Sequence, residues 1–378
     1  MTRGRWLGAA ALGLAALAVV LAIVLPTGAG RRRRVLPRTP ISTAIAYGAN
    51  VNWLFDDVSY TSAEITAQLA ELRATGATIA RTDALWERTE PAPPHDGVHH
   101  YDWAFDDGIV SALAAHDLRW FPIVDYAPAW ASLDPSVLHS PPASDANYAA
   151  FAGALAARYG PGGAFWREHP QLTPLPVQAY EIWNEPDNPE FWAPEPNPPA
   201  YAGLYAAAST AINAADPSAV VLVGGLTNPP GFIPAMLTAD PSLRDRIEGV
   251  AIHPYAYDPA ALLGRVARAR AALDAYGMTQ VPLYVTEFGW TTSPRGSLDY
   301  VPARQRPGYI ESAIQQLAAS GCDLRSVILY TWATPELGPG DSQEWYGIDP
   351  PAATGGPDVS AFASALRAAQ STPSAGSC

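Results

Sequence analysis

Between Ala44 and Gln370, short β-branched or aromatic runs alternate with longer Ala/Leu-rich amphipathic runs, and this alternation limits the fold more than any other feature of the chain. Candidate strands begin near Ala44 ("AIAYGANVN"), Thr78 ("TIARTDALW"), Leu118 ("LRWFPIVDY"), Val177 ("VQAYEIWNE"), Ala219 ("AVVLVGG"), Ile247 ("IEGVAIHPY"), Val281 ("VPLYVTEFG") and Leu324 ("LRSVILYTW"). Stretches able to hold a helix lie between and after them. Two examples are "SAEITAQLAELRATGA", with Ser62 as N-cap, and "DPAALLGRVARARAALDAYG", ending at Gly277. Repetition of this kind builds a parallel sheet covered by helices. Eight such units predict an α/β fold, a single-domain (β/α)8 TIM barrel over residues 44–370. A doubly wound sheet would need a Gly-rich phosphate loop after its first strand, and "AYGANVNW" has none.

Composition narrows the chemistry. With 48% hydrophobic and 16% charged residues in 378, the chain is globular. All 23 basic residues are arginine, which excludes chemistry that needs a lysine at the reacting centre, such as P-loop NTPases, kinases and Schiff-base enzymes. Arg3, Arg5 and Arg31 to Arg34 stand ahead of every acid, so the rest of the chain sets 17 arginines against 36 acids. A body that acidic repels phosphate backbones, so no nucleic-acid partner is expected.

Residues 1–25 carry Arg3 and Arg5 ahead of an uncharged run from Trp6 to Leu25, which reads as a signal peptide or an N-terminal membrane anchor. The length of the run favours a retained anchor; a cleaved signal near Thr27 to Gly30 is the alternative. A Pro/Gly/Arg linker over residues 26–43 follows, and a flexible tail spans 371–378. The body is expected outside the cell, secreted or tethered, touching the membrane only through its N-terminal segment, with a monomeric catalytic domain. Cys322 and Cys378 either pair, as an oxidising compartment allows, or remain free.

Chemistry in a TIM barrel sits where the strands end. The fourth candidate strand runs apolar into Asn184, Glu185 and Pro186, and the seventh into Thr286, Glu287 and Phe288. Burying a lone carboxylate costs several kcal/mol unless it is paired or used. Strands four and seven lie three positions apart in an eight-membered ring, so these glutamates should face each other across the mouth. Two opposed carboxylates are what cleavage of a glycosidic bond requires, one giving a proton to the leaving oxygen and one meeting the anomeric carbon.

The segments "EIWNEPDNPEFW" and "LYVTEFGWTT" resemble the acid/base and nucleophile strands of clan A retaining glycoside hydrolases. "TIARTDALWERTEP", with Arg81, Trp86, Glu90 and Pro91 in order, resembles the clan's second strand; "AIHPYAY" resembles its sixth and "ILYTWATP" its eighth. The flavour is that of family 39, and family 5 cellulase-like enzymes share these features. The resemblance implies a retaining β-glycosidase that cleaves a neutral poly- or oligosaccharide without a cofactor, with Glu185 as acid/base and Glu287 as nucleophile. Arg81 would favour the Glu287 charge and Asn184 would bind the sugar 2-hydroxyl. Tyr255 would steady Glu287, while His253 would bind a hydroxyl or orient a glutamate. Trp183 or Trp192 would desolvate Glu185. Trp332 would lie under the sugar, with Trp290, Trp130, Trp192 and Trp53 as further stacking faces; each is equally a core residue on composition alone. No metal site is expected, since His95, Asp96, His99 and His100 in "HDGVHH" lack ligand spacing. Where some clan members have a histidine after strand three, this chain has Asp125, Tyr126 and Trp130. A catalytically silent glycan-binding barrel is the alternative function.

Overall fold

The computed structural model describes residues 44–56, 59–294, 298–338, 341–351, 354–371 and Cys378. The readings of 1–25 as signal or anchor and of 26–43 as linker lie outside them, as does the tail from 372 to 377. No helix among the described residues is long and apolar enough to cross a membrane.

Eight strands close a barrel in sequence order: β1 (Ala46–Asn50), β2 (Ile79–Leu85), β3 (Arg119–Asp125), β4 (Ala179–Ile182), β5 (Val220–Leu226), β6 (Gly249–Ile252), β7 (Leu283–Val285) and β8 (Leu324–Leu329). Each neighbouring pair is parallel, and β8 returns to β1. A helix follows every strand, from Ser62–Ala74 after β1 to Pro357–Gln370 after β8, so the TIM barrel expected from the repeat is the observed fold. Local chemistry sets the helix ends. The first long helix is capped by Thr61, not Ser62: its side chain accepts from the Glu64 N–H while Glu64 reaches back to the Thr61 N–H, a closed capping box. Gly277, past the end of the helix Pro259–Ala275, takes φ 73°, a conformation that favours glycine.

Burial divides into two cores. One lies between strands and helices. The other lines the barrel interior with Ile79, Phe121, Ala179, Val220, Leu222, Ala251, Tyr284 and Ile328. Alternate residues of a strand share a face, so further up the same inward faces stand Asn50, Arg81, Glu181, His253 and Thr286, all buried and all polar. An apolar layer therefore supports a polar one at the C-terminal ends of the strands.

Cys322, just before β8, is paired with Cys378 across 56 positions, which resolves the alternative left open by the sequence. Closing a loop of that length restrains the unfolded chain by up to about 4 kcal/mol in the chain-entropy model. Cys378→Ser should lower the stability measured by denaturant titration by up to that amount, and a reductant should have the same effect on the wild type. An unchanged midpoint in both experiments would show that the bond contributes nothing.

Candidate active site

Arg81 lies at the centre of the polar layer and is fully buried. Its Nε and Nη2 donate to the two carboxylate oxygens of Glu181 at 2.9 and 2.8 Å, a bidentate pair, and its Nη1 donates to Glu287 at 2.6 Å and to Asn50 Oδ1 at 2.7 Å. Burial works against the guanidinium charge, but Glu181 and Glu287 outweigh it and hold the group protonated. Register brings these residues together. Asn50 pairs with Arg81 across β1 and β2, and Glu181 sits on β4 at the height of Ile123 on β3. Glu181 also accepts from the Gly225 N–H at 2.8 Å, an approach that a side chain at 225 would prevent, because a Cβ there would lie 2.0 Å from His253 Nε2.

Glu287 follows the end of β7 and has both oxygens engaged, Oε1 by Arg81 and Oε2 by the Tyr255 hydroxyl at 2.8 Å. Glu185 follows β4 and is aimed by an unusual backbone: Trp183 and Glu185 have φ of 65° and 42°, values rare for residues with a side chain. Its two oxygens meet His253 Nδ1 and Asn188 Nδ2, each at 2.7 Å. His253 Nδ1 is also 3.5 Å from Glu287 Oε2. One donor atom from each of Glu185, His253 and Glu287 lies within 4.8 Å of the other two. Hydrogen bonds already engage both oxygens of each glutamate, so the cluster reads as a carboxylate–imidazole network and not as a cation cage.

Arginine can only donate, so Asn184, 3.1 Å from Arg81 Nη2, turns Oδ1 toward it and keeps its amide N–H groups for the mouth. The same rule governs His253. Its Nε2, 3.4 Å from Arg81 Nη2 and 3.1 Å from the Thr286 hydroxyl, is the acceptor in the neutral ring, which leaves the proton on Nδ1 toward Glu185. Burial lowers the His253 pKa, while the charges of Glu287 and Glu185 outweigh burial and raise it above its ordinary value.

Glu185, Glu287, Arg81, Asn184, His253 and Tyr255 thus converge. Of the expected tryptophan platforms, Trp332, Trp290 and Trp192 do not. Trp332 is fully buried against Phe362, Trp290 donates to the Ala256 carbonyl beneath Tyr309, and Trp192 packs on Trp183 and Tyr201. None has a face open to a sugar, because side chains from neighbouring elements cover them. Trp183 itself is buried among Tyr126, Tyr148 and Trp192 and donates to the Phe191 carbonyl. Trp130 is half-buried, edge-on to Trp86, and donates to the Glu90 carbonyl. Trp53 is half-buried and hydrogen-bonds the Tyr330 side chain. The "HDGVHH" residues separate, His99 turning in to Glu90 while His95 and Asp96 pair in solvent.

Sequence reasoning missed Glu181, the main counterion of Arg81, and Asp83, two residues beyond Arg81 on the same face, whose carboxylate accepts from Asn52 at 2.7 Å. It also missed Tyr330 and Tyr346, which stand edge-on to Tyr255 at 6.2 and 6.1 Å. The available signal for Glu181 was a second glutamate inside an apolar strand, four residues before Glu185.

Two measurements probe the network. Glu181→Gln removes a carboxylate from a fully buried guanidinium and should cost about 3–5 kcal/mol of stability; a cost under about 1 kcal/mol would show that Glu287 and Asn50 suffice. His253, with its pKa raised in the fold, contributes stability that is complete below its unfolded value and is lost as pH rises through the raised one. In Glu287→Gln the main raising charge is gone, so the His253 ring resonances followed by NMR should titrate at lower pH than in the wild type. An unmoved or higher midpoint would contradict the assignment.

No protein-family model matches the chain, and no curated protein matches it in sequence. Solved structures share its fold. A monomeric β-xylosidase from Caulobacter crescentus superposes with a TM-score of 0.62 at 20% identity, over 86% of this chain and 68% of that one. A family 39 glycoside hydrolase from Bacteroides cellulosilyticus gives 0.63 at 19%, over 85% and 63%. A GH5_18 enzyme from Bifidobacterium longum gives 0.64 at 12%, over 88% and 80%. The chain thus spans about two thirds of the first two structures, and what it shares with all three is the (β/α)8 barrel.

Proposed function

We propose that this protein is an exported, retaining β-glycoside hydrolase that acts on a neutral poly- or oligosaccharide. The observation that carries the reading is the pair Glu185 and Glu287, two carboxylates beyond the ends of β4 and β7, one oxygen of each lying within 4.8 Å of one of the other. An approach that close supports double displacement, in which the carboxyl groups stand roughly 5–5.5 Å apart, over inversion, which needs about 6.5–9.5 Å.

The partners divide the roles. Arg81 and Tyr255 stabilise the ionised form of Glu287, which suits a nucleophile: its oxygen attacks the anomeric carbon as the glycosidic bond breaks. Glu185 is met by His253 and Asn188 and by no arginine, which leaves it the role of giving a proton to the departing oxygen. Water then enters, returns its proton to Glu185 and adds hydroxide to the anomeric carbon, freeing Glu287. Asn184, with its amide held outward by Arg81, is placed to donate to a sugar hydroxyl. The Cys322–Cys378 pair supports an oxidising compartment and hence export. The acidic body supports neutral substrates.

Residues 35–378 should hydrolyse aryl β-glycosides with retention, read by NMR of the first-formed anomer. Glu287→Gln should abolish turnover. Glu185→Gln should slow poor leaving groups by about a hundred- to ten-thousand-fold while sparing activated ones. Equal loss on both classes would reject Glu185 as the acid. A wild type that binds neutral glycans without cleaving any across a broad panel would favour a binding barrel instead.

A further inference from the structure

At the end of the barrel opposite the carboxylates, the strand starts surround a cavity of about 340 Å³. It is hollow because the inward positions there include Ala46, Ala179 and Ser326, too small to fill the centre, while Ile79, Phe121, Val220 and Tyr284 give it apolar walls. Arg119, the first residue of β3, also lines it.

This arginine differs from the others in the fold. Among the described residues, Arg81, Arg158, Arg270, Arg306 and Arg325 are buried or half-buried, and each has a carboxylate within ion-pair distance. Arg119 is half-buried too, yet its one hydrogen bond runs from Nε to the Pro176 carbonyl at 3.1 Å and no described carboxylate pairs with it. Burial lowers its pKa and no neighbouring charge offsets the effect. A guanidinium withdrawn from water without a counterion is costly, in a chain that carries 36 acids. Arg325, across the cavity, already has Asp323.

We propose that this cavity is a binding site for a small apolar carboxylate, an aryl or medium-chain alkyl acid, whose carboxylate pairs with Arg119 while its hydrocarbon lies against Phe121 and Tyr284. The volume falls in the range of small-molecule sites and is too small for a polysaccharide. From Arg119 to Asp125 the strand rises about 20 Å, so the site is remote from Glu185 and Glu287 and does not depend on the proposed hydrolysis.

The probe is 4-phenylbutyrate, titrated calorimetrically into the full chain. Saturable 1:1 binding is expected, at least about 10-fold weaker for 4-phenyl-1-butanol and weakened about 10- to 100-fold by Arg119→Gln, the worth of one charged hydrogen bond. Ala46→Leu, which fills the cavity and keeps the arginine, should abolish binding, with both variants checked for unchanged melting temperature. Absence of saturable binding at millimolar acid, equal affinity for the alcohol, or an affinity left unchanged by either substitution in a folded variant would overturn the proposal.

Discussion

The polar half of the barrel depends on one buried charge. Arg81 has no exposed surface, so its guanidinium is tolerable only because carboxylates stand at two of its sides. The two are not equivalent. Glu181 is sealed in the barrel and takes the bidentate edge, whereas Glu287 takes a single N–H and stays 8% exposed. That inequality has chemical meaning. In the proposed reaction Glu287 loses its charge on forming the glycosyl ester, and a cation that relied on it alone would then be stranded. Glu181 keeps Arg81 neutralised in both states, so the swing in electrostatic energy during the cycle is smaller than a simple pair would suffer.

The two carboxylates at the mouth are also held in different ways. Glu287 stands two residues past Val285, the last paired residue of β7, and inherits its direction from the sheet. Glu185 stands three residues past β4, beyond a backbone turn with two left-handed residues, and its loop is fastened by Asp187, which accepts from the N–H groups of Thr227 and Asn228. The cost of that backbone is met by hydrogen bonds to a neighbouring loop, and the result is a carboxylate delivered to a point the strand itself does not reach.

Strand order and the strand-end glutamates were legible in the sequence because periodicity and termination are local. The partners of Arg81 were not. Glu181 and Glu185 are both glutamates in one apolar segment, and only the turn at Trp183 separates an interior counterion from a group at the mouth. Trp332 and Trp290 were misjudged for a related reason: whether either shows a face depends on Phe362 or Tyr309, which arrive from helices far along the chain. The Thr61 cap was missed because two good capping residues adjoin, and Glu64 sits at the third helical position only if Thr61 is the cap.

The two ends of the barrel interior can be compared directly, since each places an arginine on an inward strand position. At the C-terminal end, Arg81 is met by Glu181 and Glu287, with Asp83 one step above on the same strand, and the surplus of acid leaves a mouth rich in acceptors. At the N-terminal end, Arg119 faces alanine, serine and aromatic carbon. Interior apolar residues separate the two, so neither charge can serve the other. An interior that supplies two carboxylates to one arginine and none to the other has left the second charge to be balanced from outside the chain.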